Sequence, residues 1–389
     1  MRGSIVKRGE KFHAVLDLPR GADGKRKQKW LSGYPTRREA EAALAHALNE
    51  VHTGRYVEPT AMTVRQFLCD EWLPASAARV RATTLRGYRQ LIDSYAVPAV
   101  GDVPLADVTP VVLTKLYGRL LTSGRANGKG GLSARTVRFL HTVLRRAFAD
   151  AVRWRYLAAN PADGATPPSH AAARAPEMRT WTLAELQAFL RFTADDEYHV
   201  GYVLAACCGL RRGEVCGLRW SDVDLDGTGQ FGPHLRVRQT LVEVDYVVTV
   251  SGPKTAKSRR VVALDPTVVA VLRRHRTRQH KDRLACGPAY ADRDLVLARA
   301  DGAPVQPSNF VQVFARRVGE AGVPHIRFHD LRHTHATLSL QAGIHPKIVS
   351  ERLGHASAAF TLDTYSHALP SLQAEAAATF GALVAGLDR

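Results

Sequence analysis

Three things are scarce in this chain of 389 residues. Long apolar runs are missing: none approaches the roughly eighteen residues that a helical membrane span needs, which excludes one. Cysteine is sparse as well. Cys69, Cys207, Cys208, Cys216 and Cys286 form an odd, scattered set with neither a disulfide framework nor zinc-ligand spacing, so reduced thiols in a cytosolic protein are expected. Acidic residues are the third shortage, 36 against 54 basic ones. No internal repeat is found, and the opening MRGSIVKRGEKFH is charged too early for a signal peptide. What is present in quantity is apolar: 45% hydrophobic residues can build real cores.

The formal charge of +18 bears on the partner class. Only 11 of the basic residues are Lys and 43 are Arg, whose planar fork suits paired contacts to phosphate. Split at 62 and 167, the three parts carry +5, +8 and +5, so the charge is no single tail. A polyanion, DNA above all, is the partner this steers toward. An Arg-biased codon usage in a GC-rich genome gives the same count, so charge says nothing about chemistry.

Along the chain, residues 1–60 read as a small α+β unit. Strands are expected at Ile5–Val6, Phe12–Leu18 and Lys29–Leu31, with a turn at Gly21–Gly24 and a helix over Thr36–His52. Residues 63–167 read as helical, with segments Thr63–Arg79, Thr83–Tyr95, Pro110–Thr122 and Ser133–Leu157. Thr109 before Pro110 is a helix-start signal. The last segment sets an apolar stripe (Val137, Leu140, Leu144, Phe148) against an arginine-rich face suited to DNA. A Pro- and Ala-rich stretch from Asn160 to Ala175 lacks periodicity, and the linker is set at 168–180. The capping box Thr182–Glu185 opens a last domain, 181–389, with a basic hairpin at Pro253–Arg260 and an Ala- and Leu-rich tail.

Chemistry concentrates near the end. His329, Arg332 and His333 stand at i, i+3 and i+4, so a helix puts them on one face. Gly343 suits a left-handed cap, Pro346 a helix start, and Gly354 a stop just before His355; Tyr365 follows in a third short helix. Arginines, a lysine, histidines and a hydroxyl nucleophile suit phosphoryl transfer, because guanidiniums clamp the charged oxygens of the transition state. A tyrosine, with its free pKa of roughly 10, needs a base or a positive field.

At four separated places the sequence resembles the tyrosine recombinase (phage integrase) family: CCGLRRGEVCGLRW, PKTAKSRRVVAL, HDLRHTHAT and LGHASAAFTLDTYSHAL. The match is strong over roughly residues 180 to 370 and weaker before it. The resemblance implies a multidomain, mainly α fold with small β-sheets: an N-terminal α+β arm-type DNA-binding domain, a helical SAM-like core-binding domain and a mixed α/β catalytic domain. It implies that Tyr365 attacks the scissile phosphate to give a 3′-phosphotyrosyl link and a free 5′-hydroxyl. Arg211 and Arg332 would grip the nonbridging oxygens, Lys254 would protonate the leaving 5′ oxygen, His329 would exchange a proton with the tyrosine, and His355 would hydrogen-bond the phosphate. Neither ATP nor a metal is implied. Double-stranded DNA attachment sites, a tetramer on DNA, and an excisionase or host DNA-bending protein are the implied partners, in a bacterial cytoplasm at the nucleoid.

Other readings stay open on the residues alone. Arg212 and Lys257 are neighbours of the matched Arg211 and Lys254 and suit plain backbone contacts. Glu214 reads as structural support and His333 as a residue behind the reacting groups. His329, His333 and His335 suggest a metal hydrolase, although no His-Glu-x-x-His pattern is present. A type IB topoisomerase-like or dimer-resolving enzyme, or a non-catalytic DNA-binding regulator, would use related folds.

Overall fold

Alternation of apolar and polar residues near the N-terminus produces a meander of three antiparallel strands, β1 (Gly3–Arg8), β2 (Lys11–Leu18) and β3 (Lys27–Tyr34), in the order β1-β2-β3. The computed structural model describes residues 3–18, 27–52, 61–125, 128–174, 178–228, 230–252, 259–355, 357–365 and 372–385. The expected turn at Gly21–Gly24, and Lys254 and Lys257, lie outside them. The chain divides into two compact units, Met1–Ala175 and Pro176–Arg389.

In the first unit, α1 (Arg37–His52) packs across β2, burying Ala40 and Ala47 with Ala14, Val15 and Leu16. The helical part begins with a π-helical stretch, Gln66–Trp72, that continues as α2 (Leu73–Ala77). Then come α3 (Ala82–Leu91), the short α4 (Val97–Val100), α5 (Pro110–Ser123) and α6 (Ala134–Arg153). Thr109 caps α5 by accepting from the Val112 amide. The stripe on α6 is buried as its spacing predicts, with Val137, Leu140, Leu144 and Phe148 at the centre of the core. Most of its arginines are exposed, and several of them find partners. Arg145 pairs with Asp163, Arg146 donates to the Tyr88 hydroxyl, and Arg138 donates to the Pro168 carbonyl. The aperiodic residues after Asn160 are thus held against this unit. Buried Asp150 accepts from Trp72 and Arg79; burial alone would raise its carboxyl, but those donors hold it below the usual carboxylate range.

The second unit starts with α7 (Leu183–Phe192), whose capping box between Thr182 and Glu185 forms both bonds. Next are α8 (His199–Cys208) and α9 (Arg212–Gly217). A small sheet in the order β4-β5-β8 joins Val223–Asp224, His234–Val237 and Arg260–Ala263. Between β5 and β8 the hairpin β6 (Thr240–Val244) and β7 (Val247–Ser251) turns through Asp245 and Tyr246, both at positive φ as a tight two-residue hairpin requires. Helices α10 (Pro266–Cys286), α11 (Pro307–Glu320), α12 (Asp330–Gln341), α13 (Pro346–Leu353), α14 (Ala358–Tyr365) and α15 (Leu372–Ala385) complete the unit. Trp181, Phe189, Tyr202, Phe310, Phe314 and Phe328 pack ring against ring in its core. Helices α12 to α14 enclose a smaller core of Ala336, Leu340, Val349, Leu353 and Tyr365. No described helix is long and apolar enough to cross a membrane.

Candidate active site

Two left-handed glycines shape the site. Gly209, at φ +64°, ends α8, and Gly354, at φ +66°, ends α13. A helix that stops leaves its last carbonyls without amide partners and carries partial negative charge there. At the end of α13 three successive carbonyls, those of Arg352, Leu353 and Gly354, accept from three different arginines. Arg260 Nε reaches the first at 2.7 Å, Arg332 Nη2 the second, and Arg211 Nη2 the third at 3.4 Å. Arg332 Nη1 also donates to the Gly209 carbonyl at 2.6 Å, tying both helix ends to one buried guanidinium.

The carboxylate in this group is Glu214. It accepts from the Arg211 amide at 2.9 Å, from Arg211 Nη1 at 2.8 Å, and from Arg260 Nη1 and Nη2 at 3.0 and 2.8 Å. Burial would raise its carboxyl, yet Arg260 and Arg211 outweigh that and bring it down to about 2. Three guanidiniums against one carboxylate leave a net positive pocket. Burial, with Arg211 and Arg260 beside it, presses Arg332 down to about 9, so it is still charged at neutral pH. That arrangement is made to receive an anion.

Tyr365 ends α14 and is 1% exposed. Its hydroxyl meets His333 Nδ1 at 2.7 Å, and the His355 ring lies nearly parallel to its own, 11° off at 6.4 Å between centroids. His355 Nδ1 is in turn 2.8 Å from the buried Thr361 hydroxyl. Burial pushes the phenol up to about 12, although Arg332 and Arg211 pull the other way. Burial drives His333 down to about 4, with His329 beside it, and drives His355 down to about 3, with Arg332 beside it. His329 precedes α12, reaches the surface, and sets its ring edge-on to His333 at 5.0 Å. Partial desolvation and then Arg332 hold it below the usual range. At neutral pH the phenol is therefore protonated and these imidazoles are neutral.

Of the residues expected from sequence, Arg211, His329, Arg332, His355 and Tyr365 come together at the meeting of α9, α12, α13 and α14. Arg260 was not among them, although it is buried against Glu214. Its only sequence signal is a position opening a strand beside a second arginine. His333, expected behind the reacting groups, is the residue in direct contact with the Tyr365 hydroxyl. The three histidines of the metal reading part company: His333 bonds Tyr365, while His335 Nδ1 lies 2.9 Å from the Ala206 carbonyl of α8. Among the described residues no group of three His, Cys, Asp or Glu is arranged to hold a metal ion.

The Phage integrase family matches residues 183–371, an Arm DNA-binding domain matches 4–51, and a phage integrase N-terminal SAM-like domain matches 64–121. A tyrosine recombinase XerC-like protein of Caldanaerobacter subterraneus is 27% identical, with 98% of each chain covered. The integrase of Mycobacterium phage FRAT1 is 30% identical over 66% of this chain and 71% of its own. Among solved structures, the Tn1549 transposon integrase in complex with circular intermediate DNA aligns with a TM-score of 0.64 at 24% identity, covering 82% of this chain and all of that one. A lambda integrase tetramer bound to a Holliday junction aligns at 0.53 and 20% identity, covering 90% and 92%. The chain belongs to the phage integrase family: it is a tyrosine recombinase, a DNA strand transferase with an arm-type domain, a SAM-like domain and a catalytic domain.

Proposed function

We propose that this enzyme integrates or excises a mobile element by cutting and rejoining DNA at attachment sites, with Arg211, Lys254, His329, Arg332, His355 and Tyr365 as its reacting set. What carries the reading is the convergence of two guanidiniums and neutral imidazoles on one buried phenol. The Tyr365 oxygen attacks the scissile phosphorus and forms a phosphotyrosyl bond as the bond to the 5′ oxygen breaks. Arg211 and Arg332 exchange their helix-end carbonyls for the nonbridging oxygens, a stronger charge-assisted contact. His355, neutral and held by Thr361, is poised to donate to the same phosphate. Lys254, by the family resemblance, protonates the departing 5′ oxygen. Because one phosphodiester is conserved as the tyrosyl ester, the 5′-hydroxyl of a second DNA reverses the step without an energy source.

Two duplexes exchanged strand by strand need four such tyrosines, which favours a tetramer on DNA. An excisionase or a DNA-bending host protein would set direction, and the bacterial cytoplasm is the compartment in which such DNA is met.

The test is a nicked suicide substrate carrying the attachment core, incubated in EDTA with wild type or Tyr365→Phe and run on a denaturing gel. A protein–DNA adduct formed by wild type alone is expected. No adduct from either, on DNA that both bind, would mean a DNA-binding regulator. Cleavage without an adduct in a parallel incubation lacking EDTA, abolished when EDTA is present, would bring back the metal hydrolase.

A further inference from the structure

The residue implied to exchange a proton with the nucleophile is His329, but the ring in hydrogen-bond contact with the Tyr365 hydroxyl is His333, at 2.7 Å. The phenol is protonated, and in the tautomer that carries its ring proton on Nε2, His333 Nδ1 is the acceptor of that hydroxyl. Tyr365 is 1% exposed, which leaves its proton no direct path to water. His329 stands one turn back with its ring edge against His333, and the carboxylate acting on His333 is that of Asp330. Asp330 is itself buried and kept ionised by Arg327, which bonds it through its amide, Nε and Nη2 at 2.8, 3.0 and 2.8 Å. The charged groups around the imidazole are therefore Asp330, Arg327 and Arg332, with His329 as its neutral neighbour.

We propose that His333 is the catalytic base of this enzyme: its Nδ1 takes the Tyr365 proton during attack, and Asp330 steadies the imidazolium that results. The assignment rests on the reading of Tyr365 as nucleophile. In the forward step the phenolic O–H bond breaks, a P–O bond forms to Tyr365, and the P–O5′ bond breaks. The phenolic proton is then on His333, and the 5′ oxygen has taken one from Lys254. In the second step Lys254 takes the proton of the incoming 5′-hydroxyl, and His333 returns its own to the departing tyrosine oxygen. Protons and electron pairs balance over the cycle. His329 then acts through His333, as a positioning residue whose ring edge fixes the imidazole plane.

A base and a mere hydrogen-bond partner differ in what they need from the phenol. Adduct rates would be measured in single turnover at saturating nicked substrate, so that weakened DNA binding does not enter. The full-length proteins are wild type, Tyr365→Phe, His329→Ala, His333→Ala and His333→Gln, the last keeping a polar partner for the hydroxyl. Wild type and His333→Gln would also be made with a fluorinated tyrosine at 365, a phenol that ionises more readily. Both His333 variants should lose about 100-fold or more, the range of general acid–base catalysis, and His329→Ala less than either. The fluorinated phenol should restore at least about tenfold to His333→Gln and leave wild type within about threefold. Overturning results are His333→Gln within about threefold of wild type, no recovery with the fluorinated phenol, or a larger loss from His329→Ala than from His333→Gln. If wild type forms no adduct, the nucleophile reading itself has failed, and the base assignment falls with it. If His333→Ala does not fold, His333→Gln and its fluorinated form still decide the matter.

Discussion

Arg260 meets Glu214 with both arms of its guanidinium, Nη1 at 3.0 Å and Nη2 at 2.8 Å, and both side chains are buried. The same arginine turns its Nε to the Arg352 carbonyl at the end of α13. It therefore fixes Glu214, which orients Arg211, and fixes the helix end from which His355 follows. Removing one partner of a buried pair leaves the other charge unmatched and costs about 3–5 kcal/mol. Arg260→Ala is expected to lose that much in chemical denaturation. Arg260→Lys offers a point charge that cannot span both oxygens and the carbonyl, so it should recover part of the stability and still form adduct at least about tenfold slower. Full activity in Arg260→Lys would show that charge alone suffices.

Glu214 gives the site a defined response to acid. Its folded-state pKa of about 2 lies below the ordinary 4.5, so the carboxylate stabilises the fold above about 4.5 and that contribution is lost as pH falls toward 2. The two values correspond to roughly 3 kcal/mol. The difference in unfolding free energy between wild type and Glu214→Gln should be largest near pH 7 and shrink steadily from pH about 4.5 downward. A difference that stays constant across that range would mean that the carboxylate is not what the two arginines stabilise.

Much of this was legible beforehand. The order of elements, the buried stripe of α6, the capping box at Thr182 and the glycine stops at Gly343 and Gly354 follow from periodicity and cap chemistry, which are local. Arg260 and the contact of His333 were not legible, for a different reason. Arg260 and Glu214 are 46 positions apart, and His333 and Tyr365 are 32. No local spacing rule relates such pairs: Arg260 opens β8 while Glu214 lies on α9, and His333 reaches Tyr365 only because α12, α13 and α14 enclose one core. The arginines of α6 divide differently: Arg145 and Arg146 lie on the exposed face that their spacing predicts, while their partners there, Asp163 and Tyr88, are distant in sequence and follow from no local pattern.

The arginine pocket should also register in salt dependence. Removing one arginine–phosphate pairing makes the log–log slope of binding shallower by about 0.9. Arg211, partly exposed and holding the Gly354 carbonyl only at 3.4 Å, is the guanidinium freest to move to a phosphate. Arg211→Gln should flatten the slope on attachment-core DNA by about 0.9 and lower affinity alike on core and unrelated DNA. Salt titrations by fluorescence anisotropy would show this. An unchanged slope would place Arg211 away from the phosphate in the bound state.

Two glycines with nearly the same backbone angle separate conformational strain from crowding. Gly343 has φ +76° and open space where a Cβ would go; Gly209 has φ +64°, but a Cβ there would stand 2.5 Å from Leu353 Cδ2 and 3.0 Å from His335 Cδ2. Alanine at 343 meets only the left-handed penalty, about 1–2 kcal/mol. Alanine at 209 adds a clash with two packed side chains, typically a further ~1–3 kcal/mol. It also shifts the carbonyl that holds Arg332, because Gly209 and Leu353 flank the same guanidinium. Gly343→Ala should therefore lower stability modestly and leave adduct formation within about twofold, while Gly209→Ala should lose roughly twice as much stability and most of the adduct. Equal losses in the two variants would mean that the left-handed angle, and not the close approach of Leu353 and His335, makes glycine necessary between α8 and the arginine pocket.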